Sequence, residues 1–389
     1  MNAIRKIILF ASPNAQYGVI DSFVTELAAA FSRQGVESHI LHADRENPDD
    51  FLRALLQDPP DCTLSFNGLL SDHQGRFLAD TIGIPHIAYL TDAPTHFFPL
   101  LKSSQTIIAS IDRDFCAAFR AAPFSKVLFL PHAASSSLAL LKKEKPVYDL
   151  LMLNSFIDYE EIEKSWPSRY PSALVAVLKE AADTTLTQLD MPYMTAFIET
   201  FDRHMRQGKD LNPREIDHVR ALDDLQAYIG GKSRVQMLRA IESARVDVFG
   251  SGSEGWQKYL GDKKNLCFHP PVPFTEALNL MRKTRILLHC TPEIKGGGHE
   301  RIFNGCASGA AILSLETPYL RQEFKEGDTI LFFQLDKKEK FNQTISSSLQ
   351  QDETLCQIAE QGRSFVLEQH TWDVRARTLL KEIPLLKQK

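Results

Sequence analysis

Apolar runs alternate with stretches of helical spacing over the first third of the chain. Lys6–Ala11, Glu37–Leu41, Asp61–Phe66, His86–Leu90, Thr106–Ser110 and Lys126–Leu130 read as short buried strands. Between them, apolar positions recur at helical intervals in 20–31, 51–56, 74–82 and 115–120. An apolar residue every third or fourth position buries one side of a helix, whereas a short continuous run suits a strand buried on both faces. Strands that alternate with helices predict a parallel sheet covered on both sides. Ligands of such sheets bind beyond the carboxyl ends of the strands. Those ends carry the loop 12–18, Asn67-Gly68, Thr91-Asp92 with His96, Asp112 and His132.

A polar connection follows, with Ser135–Ser137 and Lys142–Pro146, and a new strand is predicted over 148–153. Residues 156–244 then read as helical: Leu174, Val177, Leu178 and Ala181 share one face, as do Met194, Phe197, Ile198 and Phe201. Alternation resumes at 246–249, 265–268, 286–289 and 330–333, with helical spacing over 275–281 and toward the C-terminus. The pattern predicts an α/β chain of two Rossmann-like domains facing a cleft. The first covers 1–134, the linker 135–147 and the second 148–375, with the helical segment 156–244 inserted early in it and a helical tail over 376–389.

One stretch carries candidate chemistry. Gly296-Gly297-Gly298 leads into a predicted helix start at His299-Glu300-Arg301, and Gly309-Ala310 then turns into another buried strand. The first turn of a helix has unpaired N–H groups and the positive end of the helix dipole. Such an end holds phosphate, and residues without Cβ atoms let the backbone come close. The unit therefore points to a nucleotide-bearing ligand, with Arg301 able to add a charge-assisted hydrogen bond.

Composition narrows the picture. The chain has 389 residues, 43% hydrophobic and 24% charged, with a net charge of −5 and no block of like charge. These values suit a globular protein and give no sign of a nucleic-acid groove. The six cysteines are scattered, with no C-x-x-C pair, which suggests a reducing compartment. Arg5-Lys6 precede only the short run 7–11, less than the about 7–15 apolar residues of a secretory segment. No stretch approaches the ~20 apolar residues of a membrane span. The expectation is a cytoplasmic protein without an integral membrane segment. No H-E-x-x-H or D-x-D spacing marks a metal site.

Gly250-Ser251-Gly252, the segment 270–274, Gly296–Gly309 and Leu320–Asp328 together resemble the C-terminal half of a GT-B glycosyltransferase. The nearest likeness is to the glycosyltransferase group 1 domains of the CgeB-like, spore-maturation type. Asn67-Gly68, Tyr89–Pro94 with His96, Ile111-Asp112 and Leu130–Ala134 resemble the partner half. The resemblance implies GT-B architecture and metal-independent transfer of a sugar from a nucleotide-diphospho-sugar to a protein or glycan acceptor. A UDP-sugar is the favoured donor, acting as co-substrate, and no cofactor is implied. Donor contacts would come from Gly250, Ser251, Gly252, Val272, Phe274, Gly297, Gly298, His299, Glu300, Arg301 and Asn304. Asn14, Tyr17 and Asn67 would line the acceptor side, and Asp92, His96 or His132 would serve in catalysis. One departure stands out. Many retaining enzymes of this fold carry two glutamates eight positions apart, whereas here those positions hold Gly296 and Asn304, with Glu300 one turn before Asn304.

Two other readings share these features: a sugar-nucleotide epimerase of the same fold, and a nucleotide-sugar-binding protein without catalysis. A nicotinamide dehydrogenase is disfavoured, because Ser12–Gly18 after the first strand is not G-x-G-x-x-G.

Overall fold

The computed structural model describes residues 3–11, 16–42, 48–123, 125–141, 144–261 and 263–387. The chain divides into two compact units. The first comprises Met1–Leu140, Pro273–Thr275 and Val366–Lys389; the second comprises Leu141–Val272 and Glu276–Phe365. Each is built on a six-stranded, all-parallel sheet.

In the first unit, β1 (Lys6–Phe10), α1 (Val19–Arg33), β2 (Glu37–Leu41), α2 (Pro48–Gln57), β3 (Cys62–Phe66) and α3 (Leu78–Ile82) alternate. They are followed by β4 (His86–Leu90), β5 (Thr106–Ser110), α4 (Arg113–Arg120) and β6 (Val127–Phe129). The strand order is β2-β1-β3-β4-β5-β6, so the chain changes direction between β1 and β3. Strands β3, β4 and β5 are buried along their whole length, including the polar Thr63, Ser65, His86, Thr106 and Ser110. The helix predicted over 74–82 starts only at Leu78. Asp72 Oδ1 instead accepts from the amides of Gln74 and Arg76, and Gly75 turns with a φ of 78°. Asp112 caps α4, its carboxylate accepting from Asp114 N at 2.7 Å and Phe115 N at 3.2 Å.

The second unit runs β7 (Tyr148–Leu153), α5 (Tyr159–Arg169), α6 (Ser172–Thr187), α7 (Tyr193–Arg206), α8 (His218–Ala240), β8 (Val246–Phe249), α9 (Ser253–Leu260), β9 (Leu266–His269) and α10 (Phe274–Arg282), whose start at Phe274-Thr275 belongs to the first unit. It continues with β10 (Thr284–His289), α11 (Glu300–Ala307), β11 (Ala311–Leu315), α12 (Pro318–Glu323), β12 (Leu331–Phe333), α13 (Lys338–Gln350) and α14 (Asp352–Gln369). Strand order β12-β11-β10-β7-β8-β9 is that of a doubly wound sheet with its switch point between β7 and β10. The predicted helical segment is α5–α8. Leu150, Met152, Val246, Val248, Ile286, Leu288 and Leu313 from the sheet join Val235 and Leu238 of α8 in one core.

The sequence pattern ended the second domain at 375, but the segment from Val366 onward packs in the first unit. There α15 (Trp372–Leu386) lies on α1. The Trp372 ring meets Phe23 at 5.1 Å and Phe66 at 5.9 Å. Arg375 is buried, and its guanidinium donates to the carbonyls of Pro131 (2.7 Å) and His132 (2.7 Å). Among the described residues, no helix is long and apolar enough to cross a membrane.

Candidate functional site

In the second unit the glycine-rich stretch leaves β10 at its carboxyl end, at the switch point. Helix α11 sits close on the sheet: a Cβ on Gly305 would lie 2.5 Å from Leu287 Cδ2 and 2.7 Å from Ile312 Cδ1. At its far end Ala310 N donates to Gly305 O and Gly309 N to Cys306 O, with Gly309 at a φ of 85°. The predicted order of glycine loop, helix, glycine and strand is thus fully realised. At the N-terminus, His299 is the cap residue and its Nδ1 accepts from Arg301 N at 3.4 Å. Gly298 has no room for a side chain, since a Cβ there would stand 2.9 Å from Phe303 Cζ and 3.2 Å from Tyr319 Cε1.

Two guanidinium groups converge here. Arg301 keeps 25% of its side chain exposed and places Nη1 3.0 Å from His299 Nε2. Arg234 reaches in from α8, toward Ser155 O after β7 (3.4 Å) and Glu293 Oε1 after β10 (3.5 Å). Both contacts are long, and Arg234 Nε has no hydrogen-bond partner. Burial lowers the Arg234 pKa against the pull of Glu293, with repulsion from Arg301 adding to the fall, and brings Arg301 down to about 10. Burial raises that of Glu293, against the pull of Arg234. His289, the last residue of β10, is held far below its ordinary value, first by burial and then by the nearby Arg301 and Arg234. Arg234 faces Glu293 and Arg301 lies 3.7 Å from Glu300, so the two guanidiniums bring hydrogen-bond donors rather than net charge to this partly desolvated site, and such donors suit an anion. A cavity of about 10 Å³, room for one water, lies among His289, Thr291, Gly297, His299, Ser314 and Thr317.

The other donor-side candidates are placed as follows. Glu300 and Asn304 are buried one turn apart on α11, Glu300 against His299, while Asn304 Nδ2 has no hydrogen-bond partner. Gly250 lies where a Cβ would come within 2.2 Å of Asn154 O, so its glycine is explained by backbone packing of β8 on the end of β7. Ser251 continues that contact, its carbonyl accepting from Phe156 N at 2.9 Å. Gly252 caps α9 at a φ of 84°. Val272 is half-buried in the second unit. Phe274 is not beside it: its ring packs edge-on against Phe23 at 5.8 Å, within the first unit.

The first unit brings together Asn67 and Asp92. Asn67 follows β3 at a φ of 58°; its Nδ2 donates to Asp92 Oδ2 at 2.6 Å, and its Oδ1 accepts from Thr91 N at 2.9 Å. His96 closes a 3-10 turn, Pro94–His96, and is exposed. His132 is buried with its ring 5.6 Å from Phe23, the setting of a core histidine. Tyr17 is exposed at a φ of 58° before α1. Asn14 lies outside the described residues.

The sequence reading missed Arg234, Glu293 and Lys295. Gly230-Gly231, in mid-helix one turn before Arg234, was the available signal. A Cβ on Gly230 would lie 3.1 Å from Glu293 Oε1, and one on Gly231 2.8 Å from Ile157 O, so the pair lets α8 approach the loops after β7 and β10. Among the described residues, no group of three His, Cys, Asp or Glu side chains is placed to hold a metal ion.

Residues 233–381 match the family model described as "Glycosyl transferase-like". The matched region begins on α8 and takes in α11 with its glycine loop. Over that region the chain is similar to this family, and the fold of the chain is GT-B. Solved structures support the fold across both units. An alpha-glucosyltransferase in complex with UDP and a 13-mer DNA is 10% identical, at a TM-score of 0.56 over 100% of each chain. Sucrose-phosphate synthase from Thermosynechococcus elongatus is 11% identical, at 0.55 over 98% of this chain and 99% of its own. Anabaena Alr3699/HepE, in complex with UDP and glucose, is 9% identical, at 0.51 over 98% and 99%. No curated protein matches the sequence.

Proposed function

We propose that the protein is a glycosyltransferase that moves a sugar from a nucleotide-diphospho-sugar, with UDP as the first nucleotide to test, to a hydroxyl of a glycan or protein acceptor. The observation that carries the reading is the meeting of Arg234 and Arg301 with the N-terminus of α11 at the switch point of the second sheet. Fixed donors aimed at developing negative charge are a large source of transition-state stabilisation. Here the backbone N–H groups of Gly297 and Gly298 and both guanidiniums hold the diphosphate, without need of a metal ion. Glu300 and Asn304 serve the nucleoside side. In the transfer, the bond from C1 of the sugar to the diphosphate oxygen breaks, and its electron pair leaves with the diphosphate. The acceptor oxygen bonds to C1 as its proton passes to a general base.

Calorimetric titration with UDP, GDP, CDP and dTDP tests the site. One of them binds, and Arg301→Ala weakens that binding by roughly 10- to 100-fold, the worth of a hydrogen bond to a charged group. A folded protein that binds none of them, or an Arg301→Ala variant that binds as well as wild type, overturns the assignment.

A further inference from the structure

Lys295, the residue before the three glycines, is 5% exposed. A lysine so deeply buried needs partners for its ammonium. Its Nζ donates to Thr185 O at 2.7 Å and also to Gln188 O. These carbonyls belong to the last turn of α6 and to its C-cap. The end of a helix leaves carbonyls without intrahelical partners and carries the negative end of the dipole, so an ammonium there is favoured on both counts. The main chain of Lys295 is fixed as well, its carbonyl accepting from Tyr319 N at 3.2 Å. The Tyr319 ring in turn lies against Gly298, three residues on. Lys295 thus joins the helical segment, on its side chain, to α12, on its backbone. The glycine loop begins at that junction.

We propose that Lys295 is a positioning residue of the donor site: by fastening the glycine loop to the C-terminal end of α6, it sets where the Gly297 and Gly298 amides stand. The inserted helical segment is then part of the donor site's framework, through Lys295 as well as through Arg234. The affinity arm of the proposal rests on the donor reading above; the tether itself does not. Its ammonium is held by the Thr185 and Gln188 carbonyls, so its effect on binding comes through the loop. Amides that must meet a diphosphate at hydrogen-bond distance tolerate little displacement.

The test compares wild type, Lys295→Met and Lys295→Arg by hydrogen–deuterium exchange over residues 296–298 and by calorimetric titration with the nucleoside diphosphate that wild type binds. Lys295→Met keeps the length of the side chain and removes its donors. It is expected to speed exchange in the loop and to weaken nucleotide binding about tenfold or more. Lys295→Arg, which can still reach the two carbonyls, restores most of both. A folded Lys295→Met protein with wild-type exchange in the loop overturns the tether. Faster exchange with unchanged nucleotide affinity overturns its role in positioning. If Lys295→Met fails to fold, Lys295→Gln, with a shorter neutral donor, takes its place with the same two readouts. If wild type binds no nucleoside diphosphate, the functional reading fails, and exchange alone still decides whether the loop is held by Lys295.

Discussion

Acid should weaken the first unit through one side chain, His86. It is 2% exposed in the middle of the sheet. Its Nδ1 lies 2.8 Å from Thr63 Oγ1 and its Nε2 2.9 Å from Ser65 Oγ. A neutral imidazole donates through one nitrogen and accepts through the other, and each hydroxyl can take the matching role. An imidazolium would bring an uncompensated charge into this core. Burial accordingly takes the pKa down to about 3, against 6.5 for the free side chain. Between those values the unfolded chain binds a proton that the folded chain refuses, so stability falls as pH falls. The contribution is whole above pH 6.5, declines by about 1.4 kcal/mol per unit below it, and stops declining near pH 3. At pH 5 the loss is about 2 kcal/mol. Replacing His86→Gln keeps a side chain that can donate and accept but removes the titration. Urea unfolding of wild type and variant at pH 7.5 and 5.0 isolates the term, because every other titrating group is common to both. In a Trp166→Phe, Trp256→Phe background shared by both proteins, Trp372 emission reports on the first unit, since the two replaced tryptophans lie in the second. Wild type should lose about 2 kcal/mol more than the variant over this interval. Equal losses would refute the argument that His86 stays neutral when folded.

Other substitutions test the packing around the sites. Gly250→Ala places a Cβ 2.2 Å from a backbone oxygen that cannot swing aside, so a drop in thermal stability worth about 1–3 kcal/mol is expected; an unchanged melting temperature would contradict it. Removing the α4 cap with Asp112→Ala should cost about 1 kcal/mol in urea unfolding. Arg375→Met strips buried carbonyls of their donor and should loosen α15, seen as faster amide exchange over 372–386.

The strands and helices were legible in the chain because their signals are local. An element buried on one face repeats its apolar residues at its own period, and short strands between helices announced a parallel sheet. The unit from Gly296 to Ala310 was legible for the same reason: cap, helix, αL glycine and strand lie next to one another in sequence. What the tertiary structure decided involves partners far apart along the chain. Arg234 meets Glu293 across 59 positions and Lys295 meets Thr185 across 110, and no local period records either pairing. The same holds for Phe274 and the segment beginning at Val366, which return to the first unit because Phe23, Phe66 and Tyr89 offer them an aromatic surface. Gly250 shows the converse. Its sequence context resembled a ligand loop, but the approach of Asn154 O accounts for the glycine, and only the folded chain could bring that atom to it. Local pattern thus determined the elements and the glycine loop at the carboxyl end of the second sheet. The choice of which charged side chains reach that end depended on how α8 and α6 pack against the loops, a matter of long-range contact and close approach.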